Sequence, residues 1–569
     1  MTAPTSAPEP SSSAESPRRS RPSLAPPPLA RTTMRARIAG LALAPLRDPN
    51  PILLKELRAT FRTALFIRFL YLLTGLVAVI VVLGGAMIGE VNFSPAEVGS
   101  ALFHIFFGLL LLVLCLVAPS YAATAITTER ETRTYESVLL SGMGAPRIVW
   151  GKFVAYFGSI VLIVVAISPV IGVAFLFGGV SPLAVLIAFF WVLVVLATTV
   201  AWGLAVSARL GSTRIAIVLS TVFFVPVAMF GAGFVTAMGE AARSAWSVPF
   251  DGPFWFAEAL AQRLAEPDAW GALVVLPLFL FGSVFWFLLA SAVAGLRQPG
   301  EDRSTPLKLW AAFVSPASVA AAAIALGLAY PRTDSGVFLT TLGGILGLFI
   351  GLTFANEPPL PPRARSRPTL LRTLLSIVGP GAVGTTRFAL VAATLPPLGI
   401  AAVAGIARHT ASPVPFGDRG DEALVANGLG SAVVVAAVLT LGVVLRLWSR
   451  NGSVARLLAL VALSVAVLVP VLFAIPDIAL GISRGPAIEL QPLVALSPLG
   501  PFWASLLLDD GLAVDAETFV FLGIAGHGVI ALALWLGIEA HVWRVRREDD
   551  ARRQHAKAAT EGRAAAAAG

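Results

Sequence analysis

Charge is scarce in this sequence. Only 13% of its 569 residues are Asp, Glu, Lys or Arg, while 57% are hydrophobic. A soluble domain carries roughly 25% charged residues, so this chain has too few polar groups to cover a water-facing surface. Cysteine is nearly absent too. The single Cys115 lies inside an apolar run, which excludes an intrachain disulfide and a cysteine-based metal site. There are five histidines and no His-Glu-x-x-His pattern, so a zinc hydrolase is not written here. No paired Asp or Ser/His set falls within the apolar runs, which argues against intramembrane proteolysis. His104 and His527 do lie in such runs, where an interhelical hydrogen bond is the expected role. Glu90, Asp477 and Glu539 sit near the ends of apolar runs rather than in their middles. That counts against a proton- or sodium-coupled carrier, which places ionisable groups at mid-membrane.

Two look-alikes fail for physical reasons. Gly144 to Lys152-Phe153 has the wrong spacing for a phosphate loop, and Phe153 stands where a magnesium-binding hydroxyl is needed. Gly481-Ile482-Ser483-Arg484-Gly485 matches a nucleophile-elbow pattern, but it lies between apolar runs rather than at a strand-to-helix turn.

What the chain does have is long apolar runs. A bilayer core takes about 20 apolar residues per spanning helix, and only helices or closed barrels satisfy the backbone there. These runs are too continuous for alternating barrel strands. Twelve helices are predicted, near 69–89, 101–126, 152–178, 183–207, 212–238, 271–295, 310–330, 337–356, 386–407, 428–448, 457–480 and 517–541. Pro169, Pro226, Pro277, Pro396 and Pro397 fall within them as kink or hinge points. Residues 1–48 are rich in Pro, Ser, Ala and Arg without apolar period and read as a disordered tail. The pair Arg18-Arg19 has no apolar stretch directly after it, so no cleaved signal is expected.

Twelve crossings put both termini on one side. With that side cytoplasmic, only Arg243, Arg263, Arg332, Arg408, Arg419 and Arg484 of the 41 Lys and Arg residues lie outside. This is the positive-inside bias. It accounts for the net charge of +9 without nucleic acid. Residues 542–569 then form a basic cytoplasmic tail, an anchor beside anionic lipid.

Two cytoplasmic segments carry a pattern. In Asn50-Pro51-Ile52-Leu53-Leu54-Lys55-Glu56-Leu57-Arg58-Ala59-Thr60-Phe61-Arg62, Asn50 suits a helix N-cap and Pro51 the first turn. Leu53, Leu54, Leu57, Phe61 and Leu65 share a face, with Lys55, Glu56, Arg58 and Arg62 mostly off it. An amphipathic interface helix over 49–68 is expected, lying at the membrane surface. Between the second and third runs, Thr128-Glu129-Arg130-Glu131-Thr132-Arg133-Thr134-Tyr135-Glu136-Ser137-Val138-Leu139-Leu140 reads as a short charged helix. Gly142 and Gly144 break it, and Pro146 restarts a helix that enters the membrane past Lys152.

This order of an NPxLxKELR helix, two spans, ERExxTxExLL, a turn, GK and four more spans resembles the ABC-2 family of ATP-binding-cassette permeases, over residues 50 to about 296. The resemblance implies a separate ATPase dimer that closes on ATP. It would press on Lys55, Glu56, Arg58, Glu129, Arg130, Glu131, Thr134, Glu136 and Lys152. ATP and magnesium then belong to that partner, with no cofactor in this chain. The family commonly has Gly-Thr where this chain has Arg133-Thr134.

The second half echoes the first. Leu139-Leu140-Ser141, Gly144 and Lys152-Phe153 recur as Leu374-Leu375-Ser376, Gly379 and Arg387-Phe388, all 235 residues on. Gly252-Pro253-Phe254-Trp255 recurs as Gly500-Pro501-Phe502-Trp503. The expected fold is therefore all-α and polytopic, with two degenerate six-helix repeats at 69–296 and 297–541. The second repeat has Arg363, Arg365 and Arg367 in place of the Glu-Arg-Glu run. The expected function is an exporter permease in the inner (plasma) membrane, moving a hydrophobic or amphipathic cargo. Its partners are ATPase subunits and lipid, and a homodimer or a second permease stays open. A non-transporting envelope or motility scaffold, or a membrane enzyme acting on lipid, are the alternatives.

Overall fold

The computed structural model describes residues 50–62, 94–224, 252–298, 303–328, 333–355, 382–411, 419–449, 457–468 and 514–568, with isolated positions between them. Its principal elements are helices α1 (Pro51–Arg62), α2 (Pro95–Glu131), α3 (Tyr135–Leu140), α4 (Ala145–Ile167), α5 (Pro182–Ser207) and α6 (Leu276–Leu296). They continue as α7 (Thr305–Leu328), α8 (Thr333–Phe354), α9 (Ala382–Ala411), α10 (Arg419–Ser449) and α11 (Val514–Ala568).

Among the described residues, nine helical stretches are long and apolar enough to cross a membrane, and each overlaps one of the twelve predicted runs. The chain is an all-α multi-pass membrane protein. The other three runs, 69–89, 212–238 and 457–480, lie in part outside the described residues. Thr213–Phe224 and Leu457–Leu468 are shorter apolar helices at the start of two of them. The 1–48 tail, Glu90, Pro226, the 363–379 motifs, Asp477 and the 481–485 turn also lie outside the described residues.

The helix starts follow local chemistry. Ser94 caps α2: its hydroxyl accepts from Glu97 N at 3.4 Å, and the Glu97 carboxylate accepts from Ser94 N at 2.7 Å. This reciprocal pair satisfies two otherwise orphaned donors. Ser181 caps α5 in the simpler way, accepting from Ala184 N at 3.0 Å. Pro277 lacks the N–H that would reach Leu273, and the turn just before it, Gly271–Val275, is a π-helix. Pro169 likewise lies in a 3-10 turn, Ser168–Ile171, which follows α4. Pro396 and Pro397 sit inside α9.

Residues read as lying on one side of the membrane meet one another. Lys55, Glu129 and Lys152 cluster at one end, where Arg387 also pairs with Glu539. At the opposite end, Phe254 N donates to His104 Nδ1 at 3.3 Å, and Arg408 pairs with Asp421 at 3.3 Å. His104 thus accepts a long-range bond, from the turn before the Trp255–Gln262 helix rather than from another span. His527 does not: its Nδ1 lies 2.7 Å from Gly523 O, one turn back in its own helix, where a backbone carbonyl is the nearest acceptor.

The α2–α5 region packs around aromatic rings. Phe103, Phe106 and Phe107 are fully buried. Phe107 meets Phe189 at 4.8 Å and Phe254 at 5.3 Å between ring centroids. The Gly-Pro-Phe-Trp motif lies here, with Gly252 so close that a Cβ would stand 2.6 Å from the His104 ring. The α7–α10 region packs instead through small residues. A Cβ on Gly347 of α8 would stand 2.2 Å from Ala393 O of α9. The two regions join where α6 meets α7, with Trp310 Nε1 donating to Ser283 O at 2.8 Å.

Candidate functional site

The site begins with α1. Ile52 is 5% exposed, whereas Leu54 and Phe61 are about 40% exposed. The contacts of α1 come from Ile52, Lys55, Glu56 and Thr60, one helical stripe at i, i+3, i+4 and i+8, with Ile52 buried and Lys55 at the exposed edge. The expected separation of Lys55 and Glu56 from the leucine face holds, and it is the stripe with those two charges that meets protein. The reason is that Lys55 and Glu56 find partners on α2 and α4, and Leu54 and Phe61 are left outward where lipid suits them.

Lys152 is the centre. Its side chain is 1% exposed. Its ammonium donates to Glu56 Oε1 at 2.9 Å and to Ala125 O at 2.7 Å, and lies 3.1 Å from Glu129 Oε1. Those three contacts match the three donors of an ammonium group, which is the condition for burying one. Lys55, more than half exposed, donates to the same Glu129 oxygen at 2.9 Å. Burial by itself lowers the Lys55 pKa, but the hydrogen bond and charge of Glu129, joined by the charge of Glu56, outweigh it and raise the value. Two cations and two carboxylates thus join α1, the end of α2 and the start of α4. A second link lies one turn along α1, where Thr60 Oγ1 and Tyr121 OH are 3.2 Å apart.

The Glu-Arg-Glu run belongs to the last turn of α2 rather than to a separate charged helix, because the apolar helix simply continues through it. Its three side chains diverge. Glu129 enters the ion cluster. Arg130 donates to Ala208 O and Leu210 O at 2.9 and 2.8 Å, capping the carbonyl end of α5. Glu131 accepts from Thr213 N at 2.7 Å, at the start of the Thr213–Phe224 helix. Cation at a C-terminus and anion at an N-terminus are the favourable pairings with helix dipoles. Arg130 also lies 5.3 Å from the centroid of the Tyr135 ring. Burial pushes the Tyr135 phenol up, against the lowering charge of Arg130.

After Glu131 the chain reverses. Arg133 N donates to Arg130 O at 3.2 Å and Thr134 N to Glu129 O at 2.9 Å, the paired bonds of a Schellman turn. Arg133 carries the left-handed φ of +57° that this turn demands. The position where the ABC-2 pattern has glycine is thus one that favours glycine. Helix α3 follows, then Gly142 at φ +73° and Pro146 in the first turn of α4, as the sequence indicated. Glu136 of α3 and Arg58 of α1 are exposed, and Leu140 at the end of α3 is 87% exposed. A cavity of about 280 Å³ lies between these elements, lined by Ile52, Lys55, Glu129, Ser137, Val138 and Met143 among others.

Of the nine residues singled out from sequence, Lys55, Glu56, Glu129 and Lys152 come together. Arg130 and Glu131 grip the 208–213 turn. Thr134 supplies the reversal, and Arg58 and Glu136 stay at the surface. Sequence reading missed Thr60, Tyr121 and Ser207, whose Oγ accepts from Ile126 N and Thr127 N at 2.9 and 3.1 Å. Hydroxyls in apolar runs carry no pattern that would reveal them. Among the described residues, no group of three or more His, Cys, Asp or Glu is placed to hold a metal ion. Comparison with family models, curated proteins and solved structures gives no match.

Proposed function

We propose that this chain is the membrane-spanning permease subunit of an ABC-2-type export system, driven by ATP hydrolysed on a separate subunit. The observation that carries the reading is the ion cluster of Lys55, Glu56, Glu129 and Lys152. It ties a short amphipathic helix to the cytoplasmic ends of two spans, directly behind an exposed helix, α3. A push on α3 reaches α1 and α4 through that cluster, and reaches α5 and the helix after it through Arg130 and Glu131. Lys152 and Glu129 are buried, so their part is to transmit; Glu136, Arg58 and Leu140 are the groups within reach of a partner. A soluble ATPase can drive the spans only if it binds their two arrangements with different affinity.

The full reading has twelve spans in two six-span halves, both termini cytoplasmic, in the inner membrane. Three spans out of the nine support the duplication: α8, α9 and α10 begin 237 or 238 residues after α2, α4 and α5. The cargo expected from the scarcity of charge in the spans is hydrophobic or amphipathic. The test is affinity purification of the tagged chain in mild detergent. A Walker-motif ATPase is expected with the wild type and is expected to be lost with Glu136→Lys, an exposed change that leaves the fold intact. A wild-type chain that retains no ATPase, under conditions that preserve a known transporter complex, would favour the scaffold.

A further inference from the structure

We infer that Arg446, near the end of α10, binds the phosphate of an anionic lipid at the rim of the bundle read as cytoplasmic. The inference stands apart from the permease reading and needs no ATPase.

The sequence sets the depth of this arginine. Residues 423–445 carry no charge. As a helix they span about 35 Å, slightly more than the roughly 30 Å of a bilayer core. Arg446 is the first charge met on leaving that run. Val435, Leu439 and Val443 form the inward stripe of α10. Beside them, Gly442 crosses the end of α8, where a Cβ would stand 2.7 Å from the Ala355 side chain. Arg446 follows one turn later on the side of Gly442, past Phe354, the last residue of α8.

The guanidinium is closed on one edge and open on the other. Its Nε is buried without a hydrogen-bond partner, and among the described residues none meets its terminal nitrogens, which are not buried. Arg130 and Arg387, at the same end, are by contrast committed, the one to the carbonyls of Ala208 and Leu210 and the other to Glu539. An arginine stays charged and presents five donors. With none of them met inside the described bundle, acceptors must come from what surrounds it.

Two tryptophans indicate what that is. Trp448 is 76% exposed and Trp543 is 55% exposed. Val443 of α10 and Val542 of α11 share one core cluster, which sets the two indoles at similar height. Exposed tryptophans settle at the headgroup level of a bilayer. The acceptor found at that depth is the lipid phosphate, whose oxygens fit the planar fork of an arginine. Charge then selects the lipid. From 540 to 548, α11 has three arginines against one glutamate. Arg544 and Arg547 are exposed, with Arg547 held 3.7 Å over the Trp543 ring. A net-positive rim favours a headgroup of net negative charge.

The experiment follows thermal unfolding of the full chain in mild detergent while phosphatidylglycerol or phosphatidylcholine is added. A lipid that binds the folded chain raises its melting temperature. High salt screens the exposed arginines and leaves a partly buried contact. The wild type is expected to respond to phosphatidylglycerol at lower concentration than to phosphatidylcholine. Arg446→Met is expected to weaken the phosphatidylglycerol response about tenfold, the worth of one charge-assisted hydrogen bond, and the exposed change Arg544→Met to leave it unaltered. Equal responses of the wild type to the two lipids overturn the inference, and so does an unaltered response in Arg446→Met. Glycerol phosphate reproducing the wild-type shift would assign the site to a soluble phosphate and overturn the lipid. Glu357→Gln is expected to change nothing, and tighter lipid binding by that variant would mean that Arg446 serves Glu357 instead. Should Arg446→Met fail to fold, Arg446→Lys carries the test: it keeps the charge without the fork, so a weaker phosphatidylglycerol response is expected, and no weakening overturns the inference.

Discussion

The first and second halves have similar apolar spans but hold them together differently. Spans Pro182–Ser207 and Gly420–Ser449 have mean hydropathy 2.7 and 2.4, so water-avoidance alone would treat them alike. Yet the first half adds buried phenylalanines and an ion cluster to close glycine crossings such as that of Gly203 on Pro119. The second interlocks through glycines and alanines, with Asn427 donating to Thr341 Oγ1 at 2.9 Å across α10 and α8. Lipid is as apolar as leucine, so burial gives little drive between helices in a membrane. Each half must find a specific fit, and the two halves found different ones. Charge lies at the same end of both halves, but the first buries a lysine between two carboxylates, whereas the second has the more exposed Arg387–Glu539 pair.

That contrast is breakable. Lys152→Met leaves Glu56 and Glu129 with only the half-exposed Lys55 between them, and breaking a buried ion pair costs about 3–5 kcal/mol. Arg387→Ala, at a pair whose arginine is 58% exposed, is expected to cost about 1 kcal/mol or less. Thermal unfolding of both variants in detergent ranks them, and equal losses would erase the distinction. Next come the close helix crossings. Gly203→Ala puts a Cβ 2.2 Å from Pro119 O, and Gly347→Ala one 2.2 Å from Ala393 O. Both are expected to lose about 1–3 kcal/mol through overpacking. Gly282→Ala has nothing within 4 Å and is expected to gain about 0.5–1 kcal/mol of helix stability.

A smaller stabilising effect is expected at Arg133. A left-handed non-glycine residue costs about 1–2 kcal/mol, part of which glycine gives back in chain entropy. Arg133→Gly should therefore raise the melting temperature slightly, and a lower one would count against the turn. The smallest effect is alkaline. The Lys55 pKa is raised in the folded chain above its ordinary 10.5. Its contribution is fully present below 10.5 and fades as pH rises through the folded value. Comparing Lys55→Met with wild type across that window should show the difference in stability shrinking at the high end.

Much of the site was legible before the structure, because its residues repeat a pattern at fixed spacing. Asn50 to Arg62 read as an amphipathic helix, and Gly142, Gly144 and Pro146 marked the break before α4. The pairing was not legible. Lys152 lies 23 residues from Glu129 and 96 from Glu56, and no local rule joins residues so far apart. Nor was the side of α1 that meets protein legible: amphipathicity separates charged from apolar sides but does not say which of them finds protein partners. The C-terminal basic tail showed no boundary with the last span to be read, and α11 runs unbroken from Val514 to Ala568, about 80 Å at 1.5 Å per residue.

By itself the sequence determined that the chain lives in a membrane, roughly where its described spans lie, and which ends carry the charge. Those follow from the solvation of apolar runs and of the backbone, which act locally along the chain. Only the tertiary structure decided that Glu129, Arg130 and Glu131 point three ways, that Lys152 is buried among carboxylates, and that Arg387 turns to Glu539 instead. Those outcomes depend on which helices become neighbours, and in a bilayer that is set by the fit of particular side chains rather than by hydropathy.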